Sequence, residues 1–448
     1  MQIHNLLTVK CLQFDRDNNL ISEKAHLYTS QFANSARYCF PCIDSASARC
    51  HWQLEFSVNA ELTVVSSGEL KEYSLSSDEK HKSYVFNLAI PTAATGIGFA
   101  IGNFEVVAEP TKNNVAYFCP KGMVPLLQHT TEFLQRVYPI YVDYMNMSLP
   151  FGDYKIVFVD ELLSDYQSYA SLTTASINLL HSARIIDQTL HTRRALGMAI
   201  ASQYFGVFIV PESYNDTWLV VGIKNILFLL FMNKIFGNNE CRFWVYQQMM
   251  KVYNFECEQL LPPLHLKDKS QSYPLTSGNN SQIFHMDPML TPPHILELME
   301  LKSMLVMRIV ENRLGNKELI QNVIKKLLSL AWINPSGESS SINALLSTQD
   351  FLKTIQVVSG KDLSDFMSRY VYQPGFTTIN FSFAFNRKRN VADVTIKQKT
   401  LHDCEKYVGQ LTVLVQELDG SFSNLLQVTN NLYLLTGYYG YWIIYYIL

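Results

Sequence analysis

Three groups of residues have the type and spacing to do chemistry. Cys39-Phe40-Pro41-Cys42 is a C-x-x-C unit with Cys50 close by, a spacing that serves thiol–disulfide exchange or half of a zinc site. A thioredoxin-like pair needs a strand–helix context and a structural zinc needs two further ligands. The unit sits among strand-like runs, and no second C-x-x-C or His pair completes a set of four. These cysteines read as buried structural thiols. The eleven histidines include no i, i+4 pair and no H-E-x-x-H unit, so no helix face offers two imidazoles to a metal. The third group, Arg387-Lys388-Arg389, puts three cations into one turn between strand-like runs, where they could contact phosphates. Taken alone, such a turn reads more readily as a solvated hairpin tip.

The elements that must carry these residues follow from composition and periodicity. A chain of 448 residues with 48% hydrophobic and 17% charged residues can build sizeable cores, which excludes disorder of the whole, and its length points to two to four domains. A net charge of −3 excludes a polycation that grips nucleic acid over its whole surface. Eight Cys at irregular spacing suggest thiols in a reducing, intracellular setting. The start lacks a basic region followed by a long apolar one, and no secretory signal or membrane anchor is predicted.

Residues 52–107 alternate apolar and polar in short runs, the pattern of antiparallel strands. From Pro125 to Met145 the spacing predicts one helix, and Lys155–Asp160 (KIVFVD) a buried strand. Helices are predicted over 189–205, 216–236, 295–311, 317–332 and 362–372, and surface loops over 261–294 and 334–341. Leu219–Met232 is strongly apolar, but Lys224 and Asn225 interrupt it, so a buried core helix is expected rather than a membrane span. After Gln373-Pro374-Gly375 the strand pattern returns. The domain plan is 1–115, a β-domain truncated at its start; 116–375, mostly helical; and 376–430, a small β-domain. Residues 431–448 form an apolar tail, read as sequence foreign to the domain in preference to a buried strand or a tail anchor.

Three motifs in order then suggest a family. Ala36-Arg37-Tyr38-Cys39-Phe40-Pro41-Cys42-Ile43-Asp44, Gln203-Tyr204-Phe205-Gly206 and Trp218-Leu219-Val220-Val221-Gly222 resemble the A-R-x-x-F-P-C-F-D, Q-W-F-G and W-L-N-E-G segments of the aminopeptidase N family of gluzincin metallopeptidases. That resemblance implies a multi-domain α+β fold: an incomplete N-terminal β-sandwich, a central, mostly helical thermolysin-like domain and a small C-terminal β-sandwich. It also implies where the zinc ligands would be. The two His positions of H-E-L-A-H fall on Met198 and Ser202, the general-base Glu on Ala199, and the third ligand, nineteen residues after Ser202, on Val221. A thioether, a protonated hydroxyl and a hydrocarbon make no zinc site, so the resemblance implies neither a metal cofactor nor catalytic residues. The G-A-M-E-N strand that holds a peptide's amino terminus would fall on Asp165–Tyr169, and the oxyanion tyrosine on Glu300 if Lys302 aligns with the K-G-A helix. An anionic Glu300 would oppose a developing oxyanion.

Within that superfamily the longer matches resemble the catalytically degenerate, aminopeptidase-like subunits of the general transcription factor TFIID. They include Asn178–Ser182, Ile185–Gln188, Thr192–Arg194, Val358–Asp362, Ser382–Val391, Lys406–Gly409 and Val415–Phe422. This resemblance implies a fragment of a nuclear, non-enzymatic scaffold with no small-molecule substrate and no membrane. Its implied partners are the TATA-binding protein, the other TFIID subunits and, within the complex, core promoter DNA. Arg387, Lys388 and Arg389 are the residues expected at the DNA. Two alternatives remain open: a zinc hydrolase using displaced ligands such as His181, His191 or His285, and a secreted or membrane aminopeptidase homologue that only binds.

Overall fold

Alternation of apolar and polar residues from Arg49 onward builds antiparallel strands, and the pairing accounts for the first layer. Arg49–Asn59 pairs with His81–Ala93, which pairs with Glu69–Leu75. The computed structural model describes residues 12–14, 26–30, 36–77, 79–266, 273–274, 283–284, 291–332, 344–386, 388, 391–400, 409–417, 420–428, 433–438 and 443–446. A second, antiparallel sheet runs in the order Leu12–Phe14, His26–Thr29, Phe99–Gly102, Thr63–Ser66.

The second sheet is buried on both faces, which is why its strands carry apolar residues at consecutive positions. On one face Leu27, Val64 and Ile101 meet Tyr84, Phe86, Leu54 and Phe56 of the first sheet. On the other, Tyr28, Val65 and Ala100 meet Val157, Val159, Tyr169 and Leu172. Those last four belong to a third, five-stranded sheet, ordered Tyr166–Tyr169, Leu172–Ser176, Tyr154–Val159, Val115–Pro120, Phe104–Ala108. Tyr154–Val159, the predicted KIVFVD strand, is parallel to both neighbours.

The helices are α1 (Val124–Thr131), α2 (Leu134–Met145), α3 (Asp187–Tyr204), α4 (Thr217–Phe236), α5 (Asn238–Glu258), α6 (Pro293–Leu314), α7 (Lys317–Trp332), α8 (Thr348–Ser359) and α9 (Ser364–Tyr370). The chain forms two compact units: Met1–Arg242 with Ile324–Thr348, and Phe243–Val323 with Gln349–Leu448. In the second unit the chain ends in two three-stranded sheets. One is ordered Thr377–Asn386, Val391–Thr400, Tyr433–Tyr438, and the other Gly420–Val428, Gly409–Glu417, Ile443–Tyr446. The apolar run after residue 431 thus supplies one strand to each sheet, pairing with Val391–Ile396 and Val413–Gln416.

Several expectations need correction. The single helix predicted over 125–145 is two, α1 and α2. The Thr131 hydroxyl donates back to the Leu127 carbonyl and the Thr130 hydroxyl accepts from the His181 N–H, side-chain bonds that compete with continuing the helix. Helices α5 and α8 had no counterpart among the predicted elements. The expected core helix is there: the helical segment Tyr214–Phe236 is long and apolar enough to cross a membrane by length and composition alone, and 67% of its most apolar window is buried inside the fold. The reading of the C-x-x-C residues as buried thiols fails. Cys39, at the end of the helical turn Ala36–Cys39, takes part in a disulfide, and Cys42 and Cys50 are free thiols, half-buried and exposed.

Two half-buried cations tie the layers of the first unit. Arg49 donates to the carbonyls of Phe208 and Ala344, and burial pulls its guanidinium down to about 10. Lys155 donates to the carbonyls of Ser66 and Gly68, and burial pushes its ammonium down to about 8. Below that pH both folded and unfolded chains hold the proton, and its burial is a fixed penalty. Between pH 8 and the unfolded value of ~10.4 only the unfolded chain keeps it, so the penalty is relieved as pH rises. Urea titrations from pH 8 to 10 should give a stability slope for the parent that exceeds that of Lys155→Met by roughly 1 kcal/mol per pH unit; parallel slopes would contradict this burial.

Candidate functional site

The site positions fall on α3 and α4, two helices that pack together in the first unit. They approach closely at Gly197, where an added Cβ would lie 2.5 Å from the Phe231 ring. The Tyr141 hydroxyl donates to the Gly197 carbonyl at 2.9 Å, fixing α2 to the same turn. The seam is apolar: Leu196, Ala199, Ile200, Leu219, Ile223, Leu227 and Phe231 are all buried.

Two of the three motifs of the sequence analysis prove to be framing devices here. Gln203 donates its amide to the carbonyls of Tyr169 (3.1 Å) and Leu172 (3.4 Å), tying the end of α3 to the hairpin of the third sheet. The Tyr204 hydroxyl reaches the Met147 carbonyl. Gly206, at φ +125°, turns the chain so that its N–H meets the Ile209 carbonyl, a conformation that side-chain-bearing residues rarely adopt. The buried Trp218 donates to the Thr348 hydroxyl at 3.2 Å. Asp216 before it accepts from the Thr348 N–H (2.8 Å), the Thr348 hydroxyl (2.7 Å) and the Ser213 hydroxyl (2.7 Å). This buried carboxylate links the starts of α4 and α8 and was not foreseen from sequence. A lone Asp near a helix start signals an N-cap, whereas its partner lies 132 residues away.

The residues at the expected ligand positions do different work. Ser202 is buried and donates to the Met198 carbonyl at 2.9 Å, so its hydroxyl serves its own helix. Met198 and Val221 are half-buried, and Ala199 is fully buried. The Val221 carbonyl accepts from the Asn225 amide. A thioether, an engaged hydroxyl and a hydrocarbon do not fit a zinc ion, which takes imidazole, thiolate or carboxylate in a tetrahedral set. Among the described residues no three His, Cys, Asp or Glu side chains converge as a metal site.

Of the displaced candidates, His181 is buried and bonded to the Leu179 carbonyl and the Thr189 hydroxyl. His191 pairs with Asp165 at 3.2 Å on the surface. His285 lies outside the described residues. The Asp165–Tyr169 segment supplies Tyr166–Tyr169, the edge strand of the third sheet, beside α3. In the second unit, Glu300 on α6 is exposed, and Lys302 forms a buried ion pair with Glu256 at 2.5 Å. Lys388 is exposed in the turn of the hairpin, and Arg387 and Arg389 lie outside the described residues.

The layered sheets and paired helices define an aminopeptidase-like fold. A crystal structure of Legionella pneumophila aminopeptidase A in complex with aspartic acid superposes with a TM-score of 0.69 at 14% identity, over 92% of this chain and 45% of that one. The resemblance in sequence goes further. The chain is similar to transcription initiation factor TFIID subunit 2 of Gallus gallus, 40% identical across 93% of this chain and 36% of that protein. It is 39% identical to the subunit of the same name from Danio rerio, across 93% of this chain and 35% of that protein. A family profile described as TAF2 Ig-like domain matches residues 374–438, a span that includes the strand Tyr433–Tyr438. The chain spans about a third of the length of these relatives.

If α3 and α4 keep the cradle and only the donors differ, the triple variant Met198→His, Ser202→His, Val221→Glu should take up zinc in one-to-one ratio by elemental analysis after dialysis, while the parent retains none. Zinc bound equally by both proteins would contradict this mapping of the site.

Proposed function

We propose that this chain is part of a non-enzymatic scaffold subunit of TFIID, which acts in the nucleus and supports core-promoter recognition and assembly of the RNA polymerase II pre-initiation complex. The reading rests on 40% identity to a TFIID subunit 2 along 93% of the chain. The site geometry supports it. The positions corresponding to zinc ligands hold Met198, Ser202 and Val221, and the position of the general base holds Ala199, and none of these four side chains could seat a zinc that lowers the pKa of a water or take that water's proton.

In this reading the chain contributes surface rather than chemistry. Its partners are the TATA-binding protein and other TFIID subunits, with promoter DNA met inside the complex. Arg387, Lys388 and Arg389 are the residues proposed to reach DNA phosphates. Tagged chain purified from nuclear extract should bring the TATA-binding protein and further TFIID subunits with it; their absence would contradict the proposed membership. In the assembled complex, reversing the three charges should lower the slope of log affinity against log salt by about 3, at ~0.9 per phosphate contact. An unchanged slope would remove these residues from the DNA surface.

A further inference from the structure

Helix α3 carries two consecutive arginines, and the fold uses them differently. Arg194 donates to the Glu240 carboxylate and pairs with it. Arg193 instead holds its guanidinium over the ring of the buried Phe133, 5.4 Å from the ring centroid. Phe133 stands just ahead of α2, and Arg136 follows it by three residues, the spacing at which helical side chains are neighbours. Arg136 is exposed and Arg193 half-buried. Among the described residues neither guanidinium donates a hydrogen bond or joins an ion pair. We propose that Arg193 and Arg136, gathered at the Phe133 ring, form a docking site for a phosphorylated serine or threonine of a partner polypeptide.

Electrostatics and geometry favour that occupant. Burial, and after it the charge of Arg136, pull the Arg193 guanidinium below its ordinary value, while Glu132 pulls the other way. Two like charges are thus held near each other, and an anion between them would relieve the repulsion. Among the described residues Glu132 pairs with neither arginine, so that role is open to a ligand. A phosphate monoester brings a charge of about −1.5 to −2 and three acceptor oxygens, against about −1 and two oxygens from a carboxylate. Two planar guanidinium forks match the larger demand, and stacking on an aromatic face keeps one of them oriented. Clustered arginines are a recurring means of reading phosphorylated motifs. A duplex backbone would instead need cations in a row, whereas here Glu132 acts on the same spot in a chain of net charge −3.

The site does not depend on the proposed TFIID membership, which the nuclear-extract purification tests by itself. The full chain is titrated by anisotropy into a fluorescein-labelled pool of short degenerate peptides with a central phosphoserine, and into the same pool unphosphorylated. The phosphorylated pool should bind more tightly. Arg136→Gln and Arg193→Gln should each weaken its binding about tenfold and leave the unphosphorylated pool unmoved, with the circular dichroism spectrum unchanged. Arg193→Lys keeps the charge but loses the planar fork, and should fall between parent and Arg193→Gln. Lys71→Gln removes an exposed cation from the first sheet and should change nothing. Equal affinity for the two pools overturns the proposal. So does an unaltered preference in Arg136→Gln, whose exposed side chain can be replaced with little effect on the fold. A glutamate-centred pool that binds as tightly overturns it by making the ligand a carboxylate, and free phosphate displacing the peptide at equal concentration overturns it by making the ligand a small ion.

Discussion

The contact between α3 and α4 at Gly197 is the constraint on which the rest of the first unit depends. With no side chain at Gly197 the Phe231 ring lies against the backbone of α3, and Tyr141 holds the same carbonyl from α2. The seam then closes with aliphatic and aromatic burial alone, each fully buried Leu, Ile or Phe worth ~1.5–3 kcal/mol. A metal would add binding energy to such a pair, but the hydrocarbon seam already supplies cohesion. The framing residues Gln203, Tyr204, Gly206 and Trp218 hold their hydrogen bonds or turns while the donors between them are Met198, Ser202 and Val221. Framework and chemistry are separable because the framing bonds of Gln203, Tyr204 and Trp218 run to Tyr169, Leu172, Met147 and Thr348 and none of them involves Met198, Ser202 or Val221.

That separation explains which parts of the molecule were legible in the sequence. Gln203-Tyr204-Phe205-Gly206 and Trp218–Gly222 were readable because their residues meet local geometric demands, among them a turn with positive φ, an amide that bridges to a hairpin and an indole N–H that needs an acceptor. The strand Tyr154–Val159 was readable because burial on both faces leaves a continuous apolar run. The helix α5 was not, since Phe243, Tyr246 and Tyr253 on it are exposed and blur the apolar–polar period. The carboxylate of Asp216, with its Thr348 partner, depends on a fold that brings distant segments together. No local signal encodes it. The disulfide at Cys39 was likewise hidden, because spacing alone made Cys42 its natural counterpart.

A protein with this framework can act through its surfaces without carrying out a reaction. The second unit ends in two small three-stranded antiparallel sheets, and Asn380, Ser382, Lys388 and Lys397 are exposed there. The first unit is a layered body in which half-buried cations, Arg49 and Lys155, donate to carbonyls of neighbouring segments.

The central claim is that α3 and α4 are joined by a hydrocarbon seam and that Met198, Ser202 and Val221 beside it offer no donor set that fits zinc. Crystals soaked in millimolar zinc and measured on both sides of the zinc absorption edge test it most directly. The anomalous difference map should be featureless among Met198, Ser202 and Val221; a strong peak there, within bonding distance of protein donors, would contradict the account.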